Sequence, residues 1–175
     1  MRNDLRDALW NDFPTLFEGV WRGPLSSHEI TKDEVGFWCG DGWEPIVRKA
    51  LERLAKLSPT IQVGQVKEKL SSLTVHFSSP SELNDQCMDI IAEAKRAAES
   101  TCEECGCPGV MRDGDCLQTL CDEHGAGRRA LCRTCEGRVP RLSLPGGVVP
   151  QFCPDCNRQV SEHLIRERGK PAAGV

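Results

Sequence analysis

Four pairs of metal-ligand residues crowd residues 102–156 of this 175-residue chain: Cys102-x2-Cys105, Cys121-x2-His124, Cys132-x2-Cys135 and Cys153-x2-Cys156. Two residues between ligands is the spacing of a zinc knuckle. The short turn aims both side chains at one tetrahedral ion, and its backbone N–H groups can donate to the thiolates. Two pairs complete one site, so the spacing predicts two structural Zn2+ ions. Taken in chain order, site one is Cys102, Cys105, Cys121 and His124, and site two is Cys132, Cys135, Cys153 and Cys156. The loops between pairs hold 15 and 17 residues, which suits a zinc ribbon. Gly106 follows Cys105 directly and Gly137 lies just beyond Cys135, where glycine permits the left-handed turn that closes a knuckle. With every position filled by a protein ligand, neither site leaves room for a reactive water, so both read as structural rather than catalytic.

An interleaved arrangement is the alternative. The ligand order Cys-Cys-Cys-His-Cys-Cys-Cys-Cys is that of a RING cross-brace, which would join the first pair to the third and the second to the fourth. The seven residues between His124 and Cys132 are too many for that pattern. Glu103-Glu104 also occupies the first knuckle, where ligase-type RING domains carry an apolar residue. Four cysteines remain. Cys107 and Cys116 lie inside the site-one loop and could replace an assigned ligand. Cys87 falls on the apolar stripe of a helix and reads as a small core residue. Cys39 sits between tryptophans, and burial fits it better than nucleophilic chemistry, since His28, the nearest histidine, has no supporting motif. His76 and His163 fall on polar or charged faces.

Composition narrows the function. Aromatic residues make up 5% of the chain and tyrosine is absent, which argues against a stacking platform for single-stranded nucleic acid. No apolar run approaches the roughly 18 residues of a membrane span. Met1 to Trp10 carries Asp4 and Asp7 and no apolar segment, so a secretory signal is not expected. Eleven cysteines without such a signal point to a reducing cytoplasm, where thiols serve as metal ligands rather than disulfides. Residues 1–124 carry 13 basic and 22 acidic side chains, while residues 125–175 carry 9 and 4. Two zinc ions held by seven thiolates leave the whole chain still more acidic and the tail only weakly basic, a poor surface for nucleic acid.

The pattern before the knuckles predicts an α+β fold, a helix–β-hairpin–helix domain over residues 1–100. A double zinc-knuckle region over 101–156 and a basic helix and tail over 157–175 follow it. Residues 1–17 read as a short helix stopped by Asp12-Phe13-Pro14. Residues 18–43 look like loop, with a tight turn in Phe37-Trp38-Cys39-Gly40-Asp41-Gly42-Trp43 that pins large side chains on the core. Ile46, Val47, Ala50, Leu51, Leu54 and Leu57 mark one face of a helix over 45–57. Residues 61–66 and 73–78 make an antiparallel hairpin turning near Ser71-Ser72. Leu83, Cys87, Ile90, Ile91, Ala94 and Ala98 stripe a helix over 81–100 that runs into Cys102 with no room for a flexible linker. A further hairpin is expected over 141–152 and a terminal helix over 157–168.

The run Cys39-Gly40-Asp41-Gly42-Trp43, then Gln65-Val66-Lys67-Glu68-Lys69, then Cys102-x2-Cys105-Gly106-x-Pro108-Gly109, then Thr119-Leu120-Cys121-Asp122-x-His124 resembles a group of small uncharacterised proteins of tailed phages and prophages. The resemblance covers residues 36–124. In that group the strand continues into a Phe-Gly-Gly-Leu turn, where this chain has Leu70-Ser71-Ser72-Leu73. The resemblance implies a phage origin and a bound metal, and no reaction. The expected function is therefore a non-enzymatic, zinc-stabilised interaction protein. Its expected partner is a host protein complex, such as a defence system, in the cytoplasm. Nucleic-acid binding through Arg128, Arg129, Arg133, Arg138, Arg141 and Arg158 is the second expectation. An enzyme, either a RING-type ligase or a hydrolase using Asp41 or Glu44, is the third.

Overall fold

The computed structural model describes residues 1–17 and 36–132. Helix α1 (Asn3–Asp12) ends where Pro14 opens a single 3-10 turn, Pro14–Leu16. Strand β1 (Gly36–Trp38) is followed by a 3-10 turn over Asp41–Trp43 and helix α2 (Glu44–Leu57). Strands β2 (Gln62–Glu68) and β3 (Leu73–Ser78) lead to helix α3 (Asn84–Ala98). Strands β4 (Val110–Arg112) and β5 (Gln118–Leu120) make a second, two-stranded sheet. The chain is thus mixed α+β. The helix–hairpin–helix expectation is corrected in one respect: residues 36–38, read as loop, form a third strand. β1 pairs in parallel with β2 and lies at the edge of a sheet of order β1-β2-β3.

Each element follows from local chemistry. α2 carries Pro45 in its first turn, where a missing N–H costs nothing, and buries Val47, Ala50, Leu51 and Leu54. In β2, Val63 and Val66 are both buried although three positions apart, a spacing that would place them on opposite faces of a regular strand. A register shift between Val63 and Gln65 resolves this by making Gly64 the extra residue of a β-bulge. The β2–β3 turn has two central residues, Leu70 and Ser71, with φ of 52° and 65°. Lys69 and Ser72 exchange both backbone hydrogen bonds around it, at 2.8 and 3.1 Å. That is the primed turn whose twist matches a hairpin, built here without glycine.

One core gathers Leu9, Leu16, Phe37, Trp43, Leu51, Leu54, Ile61, Val66, Leu73 and Cys87. Trp10 and Phe17 both meet the Phe37 ring edge-on, at 6.1 and 5.8 Å between centroids, which ties the amino-terminal helix to β1. The hairpin expected over 141–152, the helix expected over 157–168 and the tail fall outside the described residues, as do Arg133, Arg138, Arg141, Arg158 and the expected ligands Cys135, Cys153 and Cys156. No helix among the described residues is long and apolar enough to cross a membrane.

Candidate metal centre

The β4–β5 hairpin separates the first two knuckles and sets their positions. Val110 pairs with Leu120, Met111 with Thr119 and Arg112 with Gln118, so Cys105 before the hairpin and Cys121 after it return to the same end. Residues 129–131 extend the sheet, with the Leu131 N–H donating to the Met111 carbonyl at 2.8 Å. Gly106 takes φ of 77°, the left-handed conformation expected of it, and its N–H donates to the Cys102 carbonyl at 2.9 Å.

Cys102, Cys105, Cys121 and His124 converge, with one ligand atom from each lying within 4.8 Å of the others. Cys105 Sγ and Cys121 Sγ are 3.7 Å apart, and His124 Nδ1 lies 3.2 Å from Cys121 Sγ and 3.7 Å from Cys102 Sγ. Metal–sulfur bonds of about 2.3 Å and metal–nitrogen bonds of about 2.0 Å give tetrahedral edges of about 3.8 and 3.5 Å. The donor set therefore fits an ion of zinc's size. The group joins the first knuckle to the second, as chain-order pairing expects. A cross-brace would have joined Cys102 and Cys105 to Cys132 and Cys135. Cys107 and Cys116 are exposed and lie outside the group, and no disulfide occurs among the described cysteines.

The electrostatics suit a thiolate site. Burial pushes the Cys121 thiol up, but the backbone N–H and imidazole of His124, with the Cys102 and Cys105 thiols, outweigh it and bring it to about 7. The same contact raises His124 above its ordinary value. Burial dominates at Cys102 and raises it. Around the second knuckle, the buried Arg112 guanidinium pairs with Asp122, the residue after Cys121, and donates to the Leu120 carbonyl at 3.3 Å. Arg112 thereby fixes the turn that presents Cys121 and His124.

The first knuckle rests on the turn before α2. The Gly42 N–H donates to the Glu103 carbonyl at 2.7 Å, the Gly40 N–H to Glu103 Oε1 at 2.9 Å, and Trp43 Nε1 to the Thr101 carbonyl at 2.7 Å. A Cβ on Gly42 would stand 2.3 Å from both the Cys102 carbonyl oxygen and the Gly106 nitrogen, and one on Gly40 would stand 2.2 Å from the Glu103 carbonyl oxygen. The two glycines are therefore the seat of the knuckle, a role that sequence reading missed. It assigned both tryptophans of this turn to the core, which holds for Trp43 but not for Trp38, an exposed side chain, and it had no sign of what lay against the glycines, because the partner is some sixty residues away. A second tie joins Thr119 Oγ1 to Ser71 Oγ at 2.9 Å and to the Ser71 carbonyl at 3.0 Å.

The other candidates have structural placements. Asp41 accepts from the Arg2 N–H and from its Nε, both at 2.7 Å, and Glu44 pairs with Arg48 Nε at 2.6 Å. Cys39 is buried, and desolvation pushes its thiol up to about 12. His76 is exposed on β3, and partial desolvation of its ring, with Lys67 and Lys69, lowers it. Arg128 reaches Gln118 Oε1 and the Cys116 carbonyl, both at 2.7 Å, and Arg129 Nε reaches Asp113 at 2.6 Å. These two arginines fasten the 113–118 loop. Cys132, the first ligand expected for a second site, is half-buried. Comparison with family models, curated proteins and solved structures finds no match to this chain.

Proposed function

We propose that this chain is a non-enzymatic interaction protein whose fold is held by two structural Zn2+ ions. One would sit in the Cys102, Cys105, Cys121 and His124 group, the other at Cys132, Cys135, Cys153 and Cys156. It docks on a protein complex of the host cell, the role expected of a phage or prophage product. The observation that carries the reading is the closed donor set. Four protein ligands at tetrahedral spacing leave no position for substrate or water, so the ion supplies cohesion rather than Lewis-acid chemistry. That cohesion is directed, because the knuckle it closes is packed on the glycines of the 40–42 turn.

Elemental analysis of the purified chain tests the metal, with two zinc equivalents expected; one equivalent would remove the second site. Affinity capture from host lysate tests the role, with a defined protein complex expected. Recovery of nucleic acid alone, with a steep loss of binding as salt rises, would favour the phosphate-binding alternative. The engagement of Arg128 and Arg129 within the fold weighs against that alternative.

A further inference from the structure

An open groove of about 750 Å³ lies beside the first knuckle, and two of its walls are the knuckle's own inserted residues, Glu103 and Glu104. Trp38 forms another wall. It is 58% exposed, the largest exposed aromatic side chain among the described residues. Its indole packs against Gly36, where a Cβ would fall 2.2 Å from the ring, and more than half of the side chain stays open to solvent. Glu103 is only 6% exposed, and its Oε2 has no hydrogen-bond partner. Glu68 lines the same groove and turns one oxygen to the Ser71 N–H. No ion pair reaches Glu68, Glu103 or Glu104 among the described residues.

The cations already in the groove have partners, beginning with the Met1 ammonium, which donates to the Cys39 carbonyl. Arg2 pairs with Asp41 at 2.7 Å, and Arg6 pairs with Asp7 while stacking on Trp10 at 4.8 Å. Lys67, the cross-strand neighbour of Trp38, is not part of the groove and makes no ring contact with the indole. What remains is an exposed indole beside three carboxyl groups, Glu68, Glu103 and Glu104, that no ion pair reaches among the described residues. That pairing selects an organic cation, and a flat one that can stack and accept a carboxylate edge-on satisfies both walls at once.

We propose that this groove is the docking site for an arginine side chain of the protein partner, the guanidinium lying over Trp38 with its edge toward Glu103 and Glu104. The proposal rests on the interaction-protein reading and names the surface and chemistry that reading lacks. The volume is ample for the side chain and a few flanking backbone atoms. Because Glu103 and Glu104 lie between two metal ligands, the site exists only while the first knuckle is closed.

The test uses the full zinc-loaded chain and a short acetylated, amidated peptide, Gly-Gly-Arg-Gly-Gly, with its citrulline counterpart. Chemical shifts of the Trp38 indole follow the titration. The arginine peptide is expected to saturate with an affinity on the order of millimolar. Citrulline, which keeps the shape and loses the charge, is expected to bind about tenfold more weakly. Trp38→Ala is expected to weaken the arginine peptide about fivefold, with zinc content and helical circular dichroism unchanged. Glu104→Gln, at an exposed position, is expected to do the same. Equal binding of the two peptides, or an unaltered affinity in Trp38→Ala, overturns the proposal. Capture from lysate separates the two readings. A partner recovered equally by the wild-type and Trp38→Ala proteins overturns the groove and leaves the interaction role. Selective arginine binding with no protein partner overturns the role and leaves the groove.

Discussion

Gly42 shows how a single missing methyl can hold two parts of a chain together. Its neighbours are backbone atoms of Cys102, Cys105 and Gly106, which cannot swing aside as a flexible side chain would. Gly42→Ala should therefore cost about 3 kcal/mol in chemical denaturation, the upper range for forcing an extra group into a packed site. It should also weaken metal retention against a chelator. Leu70 makes the opposite case. Its φ of 52° is left-handed, which a leucine adopts at a cost, and its side chain is exposed, so nothing compensates locally. Leu70→Asn should stabilise the protein by about 1 kcal/mol, read as a rise in melting temperature. At Cys39 the thiol is raised from 9.0 to about 12 by burial. Folded protein should thus resist alkylation there at neutral pH while exposed Cys107 and Cys116 react, as peptide mapping would reveal. The sign for stability follows: the neutral thiol's contribution is whole below pH 9 and is lost as pH rises from 9 toward 12, where unfolding releases a proton the fold retains.

At the scale of elements, the knuckles owe their geometry to supports outside the ligand set. The Arg112–Asp122 pair buries a guanidinium across the β4–β5 hairpin, and Asp122 stands between two ligands. Asp122→Asn leaves that cation without its counter-charge. Because Asp122 is partly exposed, water recovers some of the loss, and a cost of about 2 kcal/mol is expected. The variant should release metal to a colorimetric chelator faster than wild type. Arg112→Lys should rescue little, since an ammonium cannot span Asp122 and the Leu120 carbonyl together. The hairpin of β2 and β3 and the periodic helices were legible from residue spacing, because alternation and helical stripes are local signals. β1 was not. Three residues are too short for a period to register, and the strand exists because β2 offers it a parallel edge.

At the scale of the molecule, the metal region and the core are one packed unit along the 40–43 turn and the Ser71–Thr119 contact. The division into residues 1–100 and 101–156 would by itself let chelation collapse the second part and leave the first intact. The contacts refine that expectation. Removing the metal should cost the Gly40 and Gly42 amides their protection from hydrogen exchange, since their acceptors are on Glu103, while amides in the middle of α2 and α3 stay protected. Loss of exchange protection only within the knuckles, with Gly40 and Gly42 unmoved, would show that the seat forms without the metal. Cys105→Ser should reproduce the chelated pattern, and Cys87→Ser, deep in the core and away from the ligands, should keep the metal.

The sequence by itself singled out Cys102, Cys105, Cys121 and His124 as one group, because two-residue spacing is a short-range geometric code, while Cys107, Cys116 and a cross-brace stayed open until the fold brought these four together. It also determined the α2, β2–β3 and α3 order and the burial of Cys39, Cys87 and Trp43. Only the tertiary structure decided what those pieces do to one another. That Gly40 and Gly42 are a seat, that Asp122 answers Arg112 and that Glu103 and Glu104 wall a groove with Trp38 all depend on residues far apart in the chain. A glycine's lack of a side chain, or a carboxylate's need of a partner, is visible in the sequence. Which neighbour stands 2.3 Å away is set by packing, and packing has no period to read.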